Sequence, residues 1–256
     1  MTVKLPPSIF NDVIGPIMRG PSSSHTAASV RIGRLVWQFM QGNLQNVLVE
    51  FEPGGSLATT YSSQGSDIGI AAGLLNLDPA DDRLINALQL VQEKGINLQF
   101  KISNFEADHP NTYRITAYGR EEKKSHTFTF LSTGGGMLEL IEIDSLPLEI
   151  RGDYHEALFL SELPASGVPA GISQKIEESL PEIDSANMIV NKGFLLLNLK
   201  STAPLSEEAK TFIKNNLPGA DAHYLQPVLP VGSHKNIELP FENVNDVFKP
   251  FCSFIR

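Results

Sequence analysis

The chain has 256 residues and a mass of 28.0 kDa, which at about 100–200 residues per domain suggests two modest domains. Hydrophobic residues make up 41% and charged residues 19%, enough apolar character to bury a core and too much for a disordered or fibrous chain. The 20 basic and 29 acidic residues give a formal net charge of −9, which repels phosphate backbones and argues against nucleic acid as a partner.

The first predicted element is a helix over 22–41. Ala27, Ala28, Val30, Ile32, Leu35, Val36, Phe39 and Met40 recur near helical spacing behind a serine run that can cap it, and Gly42-Asn43 ends it. A short β-rich run, 47–51, leads through Pro53-Gly54-Gly55 and a polar loop to a small-residue helix over 66–75. Asp78-Pro79 opens a third predicted helix over 80–94, closed by Gly95. Strand patterns follow at 98–102, 113–117, 127–131 and 137–143, so residues 1–150 read as an α+β domain, helices first and a mainly antiparallel sheet after.

The polar stretch Arg151-Gly152-Asp153 reads as a linker. Beyond it the order is strand (157–160), helix (170–180), strand (186–190), strand (194–199), helix (207–215), strand (222–225), the βαββαβ ferredoxin-like pattern, over residues 155–230. Ser206 before Glu207-Glu208 predicts a helix cap with an acidic first turn. A tail over 231–256 ends in Phe248, Phe251, Cys252, Phe254 and Ile255, apolar enough that it is expected to dock.

Several chemistries are disfavoured. No run approaches the roughly 18 apolar residues of a membrane helix, and the first seven residues lack the apolar core of a secretion signal, so a cytoplasmic protein without a membrane partner is expected. The single cysteine, Cys252, excludes an internal disulfide framework and an iron-sulfur cluster ligated by this chain alone. Walker, dinucleotide-binding, His-Glu-x-x-His and Cys-x-x-Cys motifs are absent. His126, His155, His223 and His234 read as structural or surface residues.

Four segments could carry chemistry. In Gly15-Pro16-Ile17-Met18-Arg19-Gly20-Pro21-Ser22-Ser23-Ser24-His25-Thr26, hydroxyls and a histidine fall on the first turn of a helix, where free N–H groups and the dipole favour a small carboxylate. The same serines could simply cap the helix, with His25 on the surface. The segment from Gly55 to Asp67 again ends a loop at a helix start, and Asp67 or Ser66 could serve only as its cap. Ser132-Thr133-Gly134-Gly135-Gly136 lets backbone approach a ligand closely or forms an ordinary hairpin, and His109-Pro110-Asn111-Thr112 reads as a turn before a strand.

Taken together, these blocks with Ala72-Gly73-Leu74-Leu75 resemble the β subunit of the iron-sulfur-dependent L-serine dehydratases (L-serine ammonia-lyases) over about residues 10–150. Residues 155–230 resemble the ACT domain often attached to it, whose pairing in related proteins implies a homo-oligomeric element. The resemblance implies conversion of L-serine to pyruvate and ammonia by a four-iron, four-sulfur cluster whose cysteine ligands lie on a separate α subunit. It implies that Ser22, Ser23, Ser24 and Thr26 line the serine site, that Gln64, Gly65, Ser66, Asp67, Gly134 and Gly135 contribute to it, and that His25 transfers a proton. Cys252 has two readings, a thiolate on the cluster's open iron or a sulfur buried among phenylalanines. The family usually reads Gly-His-Gly-Thr-Asp where this chain has Ser63-Gln64-Gly65-Ser66-Asp67, and a glutamine cannot shuttle a proton near neutral pH. That change keeps open a second function, an amino-acid sensor without catalysis of its own. Serine, threonine and cysteine are not separable as substrates on this pattern, since a methylene is worth only about 1–3 kcal/mol.

Overall fold

The computed structural model describes residues 18–120, 125–163 and 171–229. The first helix, α1 (Ser23–Phe39), is followed by β1 (Asn46–Phe51), then α2 (Leu57–Thr60) and α3 (Ser66–Gly73). A 3-10 turn (Asp82–Asn86) runs into α4 (Ala87–Glu93), and five strands follow: β2 (Asn97–Ile102), β3 (Thr112–Tyr118), β4 (Ser125–Gly134), β5 (Met137–Ile143) and β6 (Leu146–Ile150). They form a six-stranded sheet in the order β2-β1-β3-β4-β5-β6, parallel between β1 and β2 and antiparallel elsewhere.

Alternation along each strand turns one face of this sheet toward α1, α3 and α4. Val47, Val49, Phe51, Tyr113, Ile115, Phe128, Phe130, Leu138 and Leu140 join Val30, Leu35, Ile70 and Val91 in one core. The opposite face carries polar pairs, Arg114 Nε donating to Glu50 Oε2 at 2.9 Å and Thr116 beside Thr127 at 3.3 Å.

The chain then continues as β7 (His155–Glu162), α5 (Ile172–Ser179), β8 (Ile183–Asn191), β9 (Phe194–Ser201), α6 (Glu207–Asn216) and β10 (Asp221–Leu225). The βαββαβ order read from the sequence is present, and the four strands pair antiparallel as β10-β7-β9-β8. Ser206 caps α6 as expected, its hydroxyl accepting from the Ala209 N–H at 3.1 Å. One face of this sheet, with Ala157, Phe159, Leu195 and Leu197, packs on Ile172, Ile176, Ala209 and Ile213 of α5 and α6. The other face, with Leu158, Leu196 and Leu225, joins the core of the first sheet. At that junction His223 Nδ1 lies 2.8 Å from the Phe39 carbonyl and its ring stacks on Phe39 at 3.7 Å, while His126 pairs with Asp144 at 2.6 Å.

Three local expectations are corrected. The helix expected over 80–94 is split, because the Asp81 side chain accepts from the Arg83 N–H and starts a 3-10 turn, and Asn86 leaves helical geometry before α4. Part of the expected polar loop after Gly55 is the short helix α2. Strand β6 was not anticipated, since Pro147 masks it, but β6 is an edge strand where proline is tolerated. Of the expected features, residues 164–170, His234, and the tail with Cys252 lie outside the described residues. Among the described residues no helix is long and apolar enough to cross a membrane.

Candidate functional site

Helices α1 and α3 pack backbone to backbone. A Cβ on Gly69 would lie 2.6 Å from the Thr26 carbonyl oxygen, and one on Gly33 would lie 2.7 Å from that of Ile70, so glycine is what allows this approach. The consequence is that the N-terminal turns of both helices sit side by side.

Between those turns the Ser22 N–H donates to the Gln64 carbonyl at 3.3 Å, and the Thr26 hydroxyl donates to the same oxygen at 3.2 Å. Gly65 holds a left-handed conformation with φ of 79°, and a Cβ there would meet Thr26 Oγ1 at 2.7 Å and Pro21 Cδ at 2.8 Å. Ser22 caps nothing with its side chain; its hydroxyl instead lies 2.8 Å from His25 Nδ1. The simple capping reading of Ser22 is therefore replaced by a Ser22–His25 pair. In the tautomer whose Nδ1–H donates to Ser22 Oγ, the lone pair of His25 is on Nε2. Ser23 is exposed and Ser24 half-buried, and the N–H groups of Ser23, Ser24 and His25 have no carbonyl one turn earlier within the helix. Ser66 is fully buried, and Asp67 accepts from the Ile68 N–H at 2.8 Å at the first turn of α3.

The other blocks are tied to one another. Ser56 N–H donates to the Pro110 carbonyl at 2.9 Å, and its hydroxyl bonds the Asn111 side chain. The Asn111 carbonyl in turn accepts from the Ser132 N–H at 3.0 Å, which fixes the start of the glycine turn. Gly134, Gly135 and Gly136 all have positive φ; the first two are exposed, and Gly136 is packed against Ala27, Met18 and Arg31. The glycine turn thus packs through Gly136 on Ala27 and Arg31 of α1, within two turns of His25.

Three site-forming residues carried no sequence signal. Tyr113 is fully buried and its hydroxyl donates to Ser66 Oγ at 3.1 Å and lies 3.0 Å from Ser29 Oγ. Ser29 Oγ donates to the His25 carbonyl at 2.8 Å. Burial raises the Tyr113 hydroxyl above its ordinary range. Arg31, only 1% exposed, donates to the Gly136 carbonyl, and burial pulls its guanidinium down to about 10 although Asp78 opposes this. Only the i, i+4 step from His25 to Ser29 is local; the other links span 47, 84 and 105 residues.

Among the described residues no group of three or more His, Cys, Asp or Glu side chains comes together to hold a metal. These residues therefore do not fit an iron-sulfur cluster of their own.

No protein-family model matches the chain. It is 38% identical over 166 residues, 65% of its length, to a probable L-serine dehydratase β chain of Bacillus subtilis (strain 168), covering 73% of that protein. It is 33% identical over 207 residues, 79% of its length, to an L-serine dehydratase β chain of Peptoniphilus asaccharolyticus, covering 90% of that protein. Identity at this level over most of both proteins means that the chain belongs to the L-serine dehydratase β-chain family.

Proposed function

We propose that this chain is the β subunit of an L-serine ammonia-lyase, working with a separate cysteine-bearing α subunit that holds a four-iron, four-sulfur cluster and converting L-serine to pyruvate and ammonia. The observation that carries the reading is the convergence of the Ser22–Thr26 turn on the Gln64–Asp67 turn, each at a helix start. The unshared N–H groups and hydroxyls of Ser23 and Ser24 would hold the substrate carboxylate, and Ser22, Gly65, Ser66 and Asp67 would shape the wall around it. His25, oriented through Nδ1 by Ser22, is the group placed to move a proton at Nε2. The exposed Gly134-Gly135 backbone would close over the ligand from the β4–β5 hairpin. The cluster would be held by the α subunit, to whose open iron Cys252 would add a thiolate.

We further assign residues 1–150 to the dehydratase β domain, 155–230 to an ACT-like domain and 231–256 to a tail, in a homo-oligomeric cytoplasmic complex. The second reading, an amino-acid sensor, is favoured by Gln64, whose side-chain oxygen is buried without a hydrogen-bond partner where the family usually has histidine. Capturing the full chain anaerobically from its own cell extract and assaying pyruvate from L-serine separates the two. Turnover with an air-sensitive, cysteine-bearing partner is expected; an intact cluster-bearing partner without turnover would sink the catalytic reading and leave the sensor.

A further inference from the structure

The seam between α1 and α3 closes on glycines, where a Cβ at Gly33, Gly69 or Gly73 would come within 2.7 Å of a backbone oxygen of the facing helix. The hydrogen bonds of Ser22 and Thr26 to the Gln64 carbonyl, at 3.3 and 3.2 Å, are long and share one acceptor. The shorter and fully buried tie runs through Tyr113. Its ring is set in the middle of the sheet, edge-on to Phe51 at 5.4 Å, and its strand is paired on both sides. Its hydroxyl reaches the first residue of α3 and, through Ser29, the His25 carbonyl. A hydroxyl buried at this depth is costly unless bonded, so the geometry that satisfies it is strongly preferred.

We infer that Tyr113 is a positioning residue for the serine site: through Ser29 and Ser66 it sets the His25 turn of α1 against the first turn of α3. This rests on reading those turns as the serine site. It touches no substrate itself. Removing the hydroxyl leaves the apolar ring and the core in place and frees the two turns to shift relative to each other.

The test is Tyr113→Phe in the assembled enzyme, with Ser66→Ala and the double variant. The expected result is a fall of about tenfold or more in kcat/KM for L-serine, carried mainly by KM, with the double variant no worse than the larger single. A purely structural role would lower the melting temperature and leave KM unmoved, so kcat/KM within twofold of the parent overturns the inference. Should Tyr113→Phe fail to fold, Ser29→Ala cuts the same tie from the other side and is held to the same criterion. If the unaltered enzyme does not turn over serine, the catalytic reading fails by itself. Tyr113 is then decided by the nitrogen-15 shift of His25 Nδ1 in the full chain: a change in Tyr113→Phe sustains its positioning role, and an unmoved shift removes it.

Discussion

The two sheets bury polar groups in different ways. Beneath the first, the hydroxyls of Thr26, Ser29, Ser66 and Tyr113 are joined to one another or to carbonyls around the candidate site, with the guanidinium of Arg31 and the carboxylate of Asp67 buried beside them. Within the second, on the face packed against the first, the buried pair is Glu156 and Asn198, the former an acid. Asn198 donates to Glu156 Oε2 at 2.7 Å, yet desolvation dominates and pushes the Glu156 carboxyl up to about 8. Lys200 lies 3.8 Å from the other oxygen, but its ammonium donates to the Glu149 carbonyl at 2.8 Å. With the carboxyl held protonated, the two are not an ion pair at neutral pH. The contrast teaches that the pH response of the fold should arise at the junction of the sheets rather than at the site.

The largest expected effect follows from Glu156. Its pKa is about 8 folded against an ordinary 4.5, so between those values the folded state binds the extra proton and stability falls as pH rises, levelling above about 8. Unfolding free energies from urea titrations at pH 5 and pH 9 should differ by an amount on the order of a few kcal/mol in the parent. Glu156→Gln should flatten most of that difference, and an unchanged slope would place the pH response elsewhere. Next in size is Gly69→Ala, whose methyl would meet the Thr26 carbonyl oxygen at 2.6 Å. It should cost about 1–3 kcal/mol of stability, read from denaturant midpoints, because backbone and not a flexible side chain must yield. Serine turnover should fall with it, and a variant of normal stability and activity would show the helix seam to be loose. The smallest is Ser206→Ala, which removes the cap of α6 far from both buried sets. A loss of about 1 kcal/mol with no change in turnover or pH slope is expected.

Legibility of the molecule in its sequence follows the same division. The second unit could be read because its strands alternate and its helices carry local caps, as at Ser206. The serine and glycine blocks were visible as individual segments, and their chain order carried the family resemblance. Their meeting was not visible: Ser56 finds Asn111 across 55 residues and Arg31 finds Gly136 across 105, distances at which no periodicity operates. Tyr113 looked like any inward-facing strand residue, because alternation predicts burial but not what a hydroxyl bonds. The role expected of Ser22 as a cap failed for a related reason, since its hydroxyl had a nearer use on His25.

The scattering of these segments along the chain bears on how the molecule is made. Strands β1 and β2 pair in parallel across the intervening α2, α3 and α4, and Tyr113 and Ser132 lie further along the chain still. Contacts of such long sequence separation are slow to form, because loop closure must precede any gain from them. A nascent chain cut before residue 113 would already hold the serine turn and the start of α3, but not the tyrosine that registers them. If the α1 turn holds a small carboxylate as proposed, that site is a late product of folding, and binding there would report completion of the whole first sheet.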